Sequence, residues 1–268
     1  MPNISKLAVV DPAANIADDV EIGPFCVIGP LVTIKSGTKL MNNVSLLGSV
    51  TLGHDNVISP NVVIGGDPQD ISYKGTVTHV VVGDRNVIRE CVTINRASEK
   101  EDGYTRVGND CYFMGNVHIA HDCIVGDRVI IGHGSMLGGH VHVDHHATLS
   151  GNVAVTHYGS IGSYTFVGGA SRVLQDIAPY MLADGNPARP RCINIVALKR
   201  NDFEPHVIDA INEAYRLLYR ARVGLKNVRD IMASNGELLP EIEHLFDKIS
   251  VSQVGRHGRG REMQRKAA

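Results

Sequence analysis

An aliphatic residue returns every six positions along most of this chain. The beat runs from Ile16 through Ile22, Ile28, Ile34, Leu40, Leu46, Leu52 and Ile58 to Ile64, then returns at Val82, Ile88 and Ile94. It resumes at Val107, Phe113, Ile119, Val125, Ile131, Leu137, Val143, Leu149, Val155, Ile161, Val167 and Val173. A helix cannot use this period, because successive members would fall on different faces. A short strand followed by a bend can. Three hexads then close one triangular coil of about 18 residues, and coils stack roughly 4.8 Å apart. The fold class is therefore mainly β, a parallel β-helix. Small or β-branched residues four positions after the beat (Val20, Cys26, Val44, Val117, Cys123, Val141) suit tight corners, and the frequent Gly directly after the beat is expected to relax the backbone there. The absence of Trp and an aromatic content of 5% agree with a core of aliphatic layers.

The beat is interrupted twice, over residues 66–80 and 96–106, and these stretches must leave the prism as loops. Loops on a rigid scaffold are where binding groups concentrate. The β-helix is expected over 1–181, an α-helical domain over 182–254, and a disordered basic tail over 255–268. "LADGNPARP" (182–190) reads as a linker. Pro205 stands at a first helical position ahead of Val207, Ile208, Ile211, Ala214, Tyr215 and Leu218, and "NVRDIMAS" and "LPEIEHLFDKI" read as further helices.

With 26 Lys plus Arg against 28 Asp plus Glu, no electrostatic footprint points to nucleic acid. Five scattered cysteines without C-x-x-C spacing read as reduced thiols, and neither a signal peptide nor a membrane-spanning run is visible, so a cytoplasmic location is expected.

Chemistry concentrates in "NVHIAHDCIVG" (116–126). Ile119 and Cys123 take inward slots, so His118, His121 and Asp122 are expected to project outward. Residues 18 apart share a column: Gly139 and then His157 stack on His121, and His140 stacks on Asp122. An imidazole beside a carboxylate suits general acid–base work, and a bare glycine amide suits an oxyanion. No Ser or Cys is placed as a nucleophile and no G-x-S-x-G occurs, so direct attack of an acceptor on a thioester is the simplest chemistry.

"NVHIAHDCIVG", "DRNVIRECVTINR", "GDPQDISYKG", "LGGHVHVD", "GNPARP" and "LKR", followed by helices, resemble the UDP-N-acetylglucosamine O-acyltransferases of lipid A biosynthesis. The resemblance implies a left-handed coil and a homotrimer with sites between neighbouring prisms. It implies acyl carrier protein as donor of a 3-hydroxyacyl chain, UDP-GlcNAc as acceptor, and no cofactor or metal. Carried over by position, His121 becomes the base, Asp122 its partner and Gly139 the oxyanion donor. Gln69, Asp70, Ser72, His118, His140, His157, Asn194 and Arg200 become substrate contacts, and Phe166 and Gly169 the acyl-length ruler. Ser72 stands where the family usually has Lys, with Lys74 two residues on available to substitute, and Thr156–His157, Pro187 and Val196 also depart from the pattern. These departures lie in the acceptor-binding set, so a 3-amino nucleotide sugar is an alternative acceptor. A second alternative is a zinc-dependent γ-type carbonic anhydrase using His142 and His146 with the nearby histidines.

Overall fold

The computed structural model describes residues 1–234, 236 and 238–264, without the side chains of Met263 and Gln264. Among the described residues, short strands form three sheets of 11, 9 and 8 strands, parallel except for the last strand of the first sheet; they make the three faces of a left-handed prism, visited in rotation by the chain. Every position of the beat except Ile16 is buried, so each coil adds one aliphatic layer per face. Fully burying such a side chain contributes about 1.5–3 kcal/mol, which is how strands of two residues suffice.

The corners differ from the expectation. Apart from Gly65, at the mouth of the first loop, the glycines directly after the beat do not have positive φ. The left-handed residue is the third after the beat, as at Asn43, Asn61, Asp110, Asn116, Asp122 and His140. Glycine follows the beat because neighbouring coils meet there. A Cβ on Gly138 would lie 2.8 Å from the His157 nitrogen, and one on Gly23 the same distance from the Met41 carbonyl carbon.

Adjacent uninterrupted coils pair at a shift of 18, as in His118↔Met136 and Ile119↔Leu137. Across the loops the shift lengthens, because Leu52 aligns with Val82, and Val82 with Val107. The loops themselves span 67–78 and 96–103, since His79–Val82 and Tyr104–Val107 are strands of the third face. Both therefore leave the prism at the edge between its second and third faces.

Residues 182–190 are not a linker. Met181–Gly185 pairs in parallel with Phe166–Val167 and antiparallel with Ala188–Ile193, so this hairpin closes the exposed edge of the first face. Four α-helices follow among the described residues: α1 (Ile195–Arg200), α2 (Pro205–Tyr215, extended by a π turn through Arg220), α3 (Leu225–Ala233) and α4 (Pro240–Val254). Helix α1 was not expected from the sequence. The tail expectation is also corrected for 255–264: Gly260–Gln264 is a 3-10 turn, and Gly260 N–H donates to Asp176 at 2.8 Å. Residues 265–268 lie outside the described residues.

Candidate active site

Ile119 closes a strand of the second face, and the bend after it lifts His121 and Asp122 onto the edge where both loops emerge. Asp122 has φ 60°, a conformation that aspartate tolerates better than most residues. His121 and Asp122 leave the prism as expected, yet they are not open to solvent. His121 is 8% exposed and Asp122 1%, because the 96–103 loop folds over them.

The His121 Nδ1 lies 2.7 Å from Asp122 Oδ2. Ser98, in the covering loop, donates its N–H to both Asp122 oxygens at 3.1 Å and its hydroxyl to Oδ2 at 2.7 Å. Burial alone would raise the Asp122 carboxyl, but the hydrogen bonds from His121 and Ser98 overcome it and hold the group below the usual carboxylate range. An ionised Asp122 can only accept, so the His121 Nδ1 carries a proton toward it and Nε2 is the ring nitrogen nearer Gly139.

Gly139 lies one coil above His121, as the column spacing requires. A Cβ at 139 would lie 2.5 Å from the Cε1 and 2.7 Å from the Nε2 of His121. The imidazole thus rests over the glycine, and among the described residues the Gly139 N–H donates to no protein group. His140 Nε2 is 3.7 Å from Asp122 Oδ2, its Nδ1 is 3.0 Å from Glu101, and its ring stacks on Tyr158 at 4.3 Å. His118 Nδ1 bonds the Thr93 hydroxyl at 2.7 Å, and burial, with the neighbouring His121, lowers its pKa. His157 is half exposed, with Nε2 4.0 Å from Glu262.

The 67–78 loop brings Gln69, Asp70 and Ser72 to the same edge. Asp70 accepts from the Ser72 N–H and hydroxyl at 2.9 and 2.8 Å, while Gln69 is exposed. The cation beside Asp70 is Lys100 of the other loop, at 2.6 Å, and not Lys74, whose backbone N–H bonds Glu99. Burial opposes ionisation of Asp70, but Lys100 and Ser72 prevail and hold it far below the usual range.

The remaining expected residues stand elsewhere on this chain. Gly169 follows Val167 at the edge between the first and second faces, and Phe166 is half-buried on the first face. Asn194 caps α1, accepting from Ala197, and donates to the Tyr164 carbonyl at the third edge; Arg200 ends that helix, exposed. One prism therefore carries His121 and Asp122, Gly169, and Asn194 on three different edges. His142 and His146, central to the zinc alternative, stand on the third face and at the third edge. The one trio of possible metal donors among the described residues is His121, Asp122 and His140, where Asp122 Oδ2 already accepts from His121 and Ser98. Ser98, Lys100, Glu101 and Tyr158 were not anticipated. A cavity of about 920 Å³ lies away from His121, between the third face and α4, lined in part by His142, Tyr219, His244 and Lys248.

Coils of this kind with a histidine–carboxylate pair on one edge define the class as a hexapeptide-repeat transferase, and the hexapeptide transferase model matches residues 32–66 and 104–139. The model for domain 2 of UDP N-acetylglucosamine O-acyltransferase matches 176–260. An acyl-acyl-carrier-protein–UDP-N-acetylglucosamine O-acyltransferase of Thermodesulfovibrio yellowstonii is 41% identical over 255 residues, covering 95% of this chain and 99% of the relative. Its counterpart from Syntrophobacter fumaroxidans is 40% identical over 253 residues, covering 94% and 98%. The crystal structure of a UDP-N-acetylglucosamine acyltransferase from Bacteroides fragilis superposes with a TM-score of 0.89 at 36% identity, covering 92% of this chain and 96% of that one. The chain belongs to the UDP-N-acetylglucosamine O-acyltransferase family and is an enzyme.

Proposed function

We propose that this enzyme moves a 3-hydroxyacyl chain from acyl carrier protein to the glucosamine 3-hydroxyl of UDP-GlcNAc, the first step of lipid A biosynthesis, with His121 as general base. The observation that carries the mechanism is the His121–Asp122 pair resting over Gly139. His121 Nε2 takes the proton of the acceptor hydroxyl as its oxygen attacks the thioester carbonyl. The Gly139 N–H receives the developing oxyanion, a contact of a kind whose loss typically costs about 10²–10³-fold. The C–S bond then breaks, and the imidazolium returns its proton to the departing thiolate. Asp122 stabilises the charged ring throughout, and no covalent enzyme intermediate forms.

His118, His140, His157, Gln69, Asp70 and Ser72 surround this edge as substrate contacts. Phe166, Gly169, Asn194 and Arg200 act from a neighbouring copy in a homotrimer. That reading accounts for their placement on other edges of the prism. Arg172, Arg189, Arg191, Lys199, Arg216, Arg220 and Arg222 are exposed and form no ion pair among the described residues, which suits docking of an acidic carrier protein. Charge reversal at Arg216 and Arg220 then weakens carrier binding; unchanged affinity removes that surface from the account. The enzyme works in the cytoplasm. No helix among the described residues is long and apolar enough to cross a membrane.

The test is thiol release from 3-hydroxyacyl carrier proteins of defined chain length, with UDP-GlcNAc or its 3-amino analogue. The reading predicts UDP-GlcNAc-dependent release and an O-acylated product. Release without a sugar acceptor contradicts it.

A further inference from the structure

The C-terminal segment reaches the catalytic edge from the far end of the chain. Arg261 Nη2 lies 2.9 and 3.1 Å from the two oxygens of Glu101, and its Nη1 donates to the His140 carbonyl. Glu101 in turn receives His140 Nδ1 at 3.0 Å and belongs to the same loop as Ser98, which clasps Asp122. Burial works against ionisation of Glu101, but His140 and Arg261 bring its carboxyl below the usual range.

Arg261 is held in place independently of these contacts. Arg259 donates to the Leu174 carbonyl at 2.8 Å and pairs with Glu262 at 2.5 Å. Gly260 N–H bonds Asp176, and the Asp176 N–H bonds the Gly258 carbonyl, both at 2.8 Å. The segment is thus laced to the end of the β-helix and presents a guanidinium whose side chain is 14% exposed. A planar fork can grip a carboxylate and a carbonyl together, which a lysine ammonium does poorly.

We propose that Arg261 is a positioning residue for the transfer: it clamps Glu101 to His140 and so holds the loop that orients Asp122 and His121. Arg261 touches no reacting atom in this scheme, and the proposal rests on the reading of His121 as base. Displacing a catalytic group by about 1 Å typically costs on the order of 10²-fold in rate, so a loosened loop appears in kcat before it appears in acceptor binding.

The experiment compares wild type, Arg261→Gln, Arg261→Lys, Glu101→Gln, the Arg261→Gln/Glu101→Gln double variant and His121→Ala, using 3-hydroxyacyl carrier protein and UDP-GlcNAc. Arg261→Gln is expected to lower kcat about 10- to 100-fold with the KM for UDP-GlcNAc within about threefold, and Arg261→Lys to recover part of the loss. The double variant is expected to be no worse than the poorer single variant, because both remove one clamp. Thermal melts on the same samples separate misplacement from unfolding. Wild-type kcat in Arg261→Gln, or additive losses in the double variant, overturns the proposal while leaving the role of His121 intact. Full turnover by His121→Ala overturns the underlying reading, and this proposal with it.

Discussion

The imidazole of His121 lies over the Cα of Gly139, so close that a methyl group added there would stand 2.5 Å from its Cε1. Glycine at 139 serves the ring and not the backbone, since its φ is not among the positive values of the chain. This separates a local steric demand from a folding demand.

Gly139→Ala therefore tests the placement of the ring. The chain folds, because the backbone accepts alanine and the site sits on the rim of the prism. His121 must swing aside, and kcat is expected to fall about 10²-fold with a thermal midpoint near that of wild type. Steady-state kinetics and a melt on one preparation check both halves.

The division of site groups among different edges makes a second prediction. If His121 of one copy works with Gly169 of another, inactive His121→Ala and Gly169→Trp proteins complement each other when unfolded and refolded together. Random mixing in a trimer restores about a quarter of the wild-type sites, since each site needs one intact group from each of two copies. No recovery above the separately refolded variants means that the site is complete within one chain.

A third prediction concerns acid stability. His142 is neutral in the folded protein at pH 7: burial, reinforced by the charge of Arg261, lowers its pKa from 6.5 to about 4, and its buried Nε2 has no hydrogen-bond partner among the described residues. A depressed folded pKa means that the unfolded chain binds the proton more readily. Stability from this group is complete above pH 6.5 and is lost as pH falls toward about 4. His142→Phe is expected to flatten that decline by up to one proton's worth, about 1.4 kcal/mol per pH unit, in denaturant melts at pH 7, 6 and 5. An unchanged slope assigns the acid sensitivity to other groups.

The β-helix could be read from the sequence because its core is one aliphatic residue per face per coil, so packing writes itself directly into the six-residue beat. The same arithmetic brought Gly139 to His121 and His140 to Asp122, since no insertion falls between those coils. It did not reach Ser98 or Glu101, which lie in a loop whose path no period constrains, or Lys100, which takes Asp70 from across two loops. Arg261 stood in a Gly- and Arg-rich stretch whose composition suggests a solvated tail; its order comes from contacts with residues some 85 to 160 positions earlier. The hairpin after Met181 was obscured in the same way, because Gly185, Asn186 and Pro187 mark a turn without showing that strands flank it.

The most direct measurement of the central claim is the turnover of His121→Ala with 3-hydroxyacyl carrier protein and UDP-GlcNAc under saturating substrates. General-base catalysis by His121 predicts a fall in kcat of about 10²–10⁴-fold with the protein still folded. Turnover at the wild-type rate contradicts it.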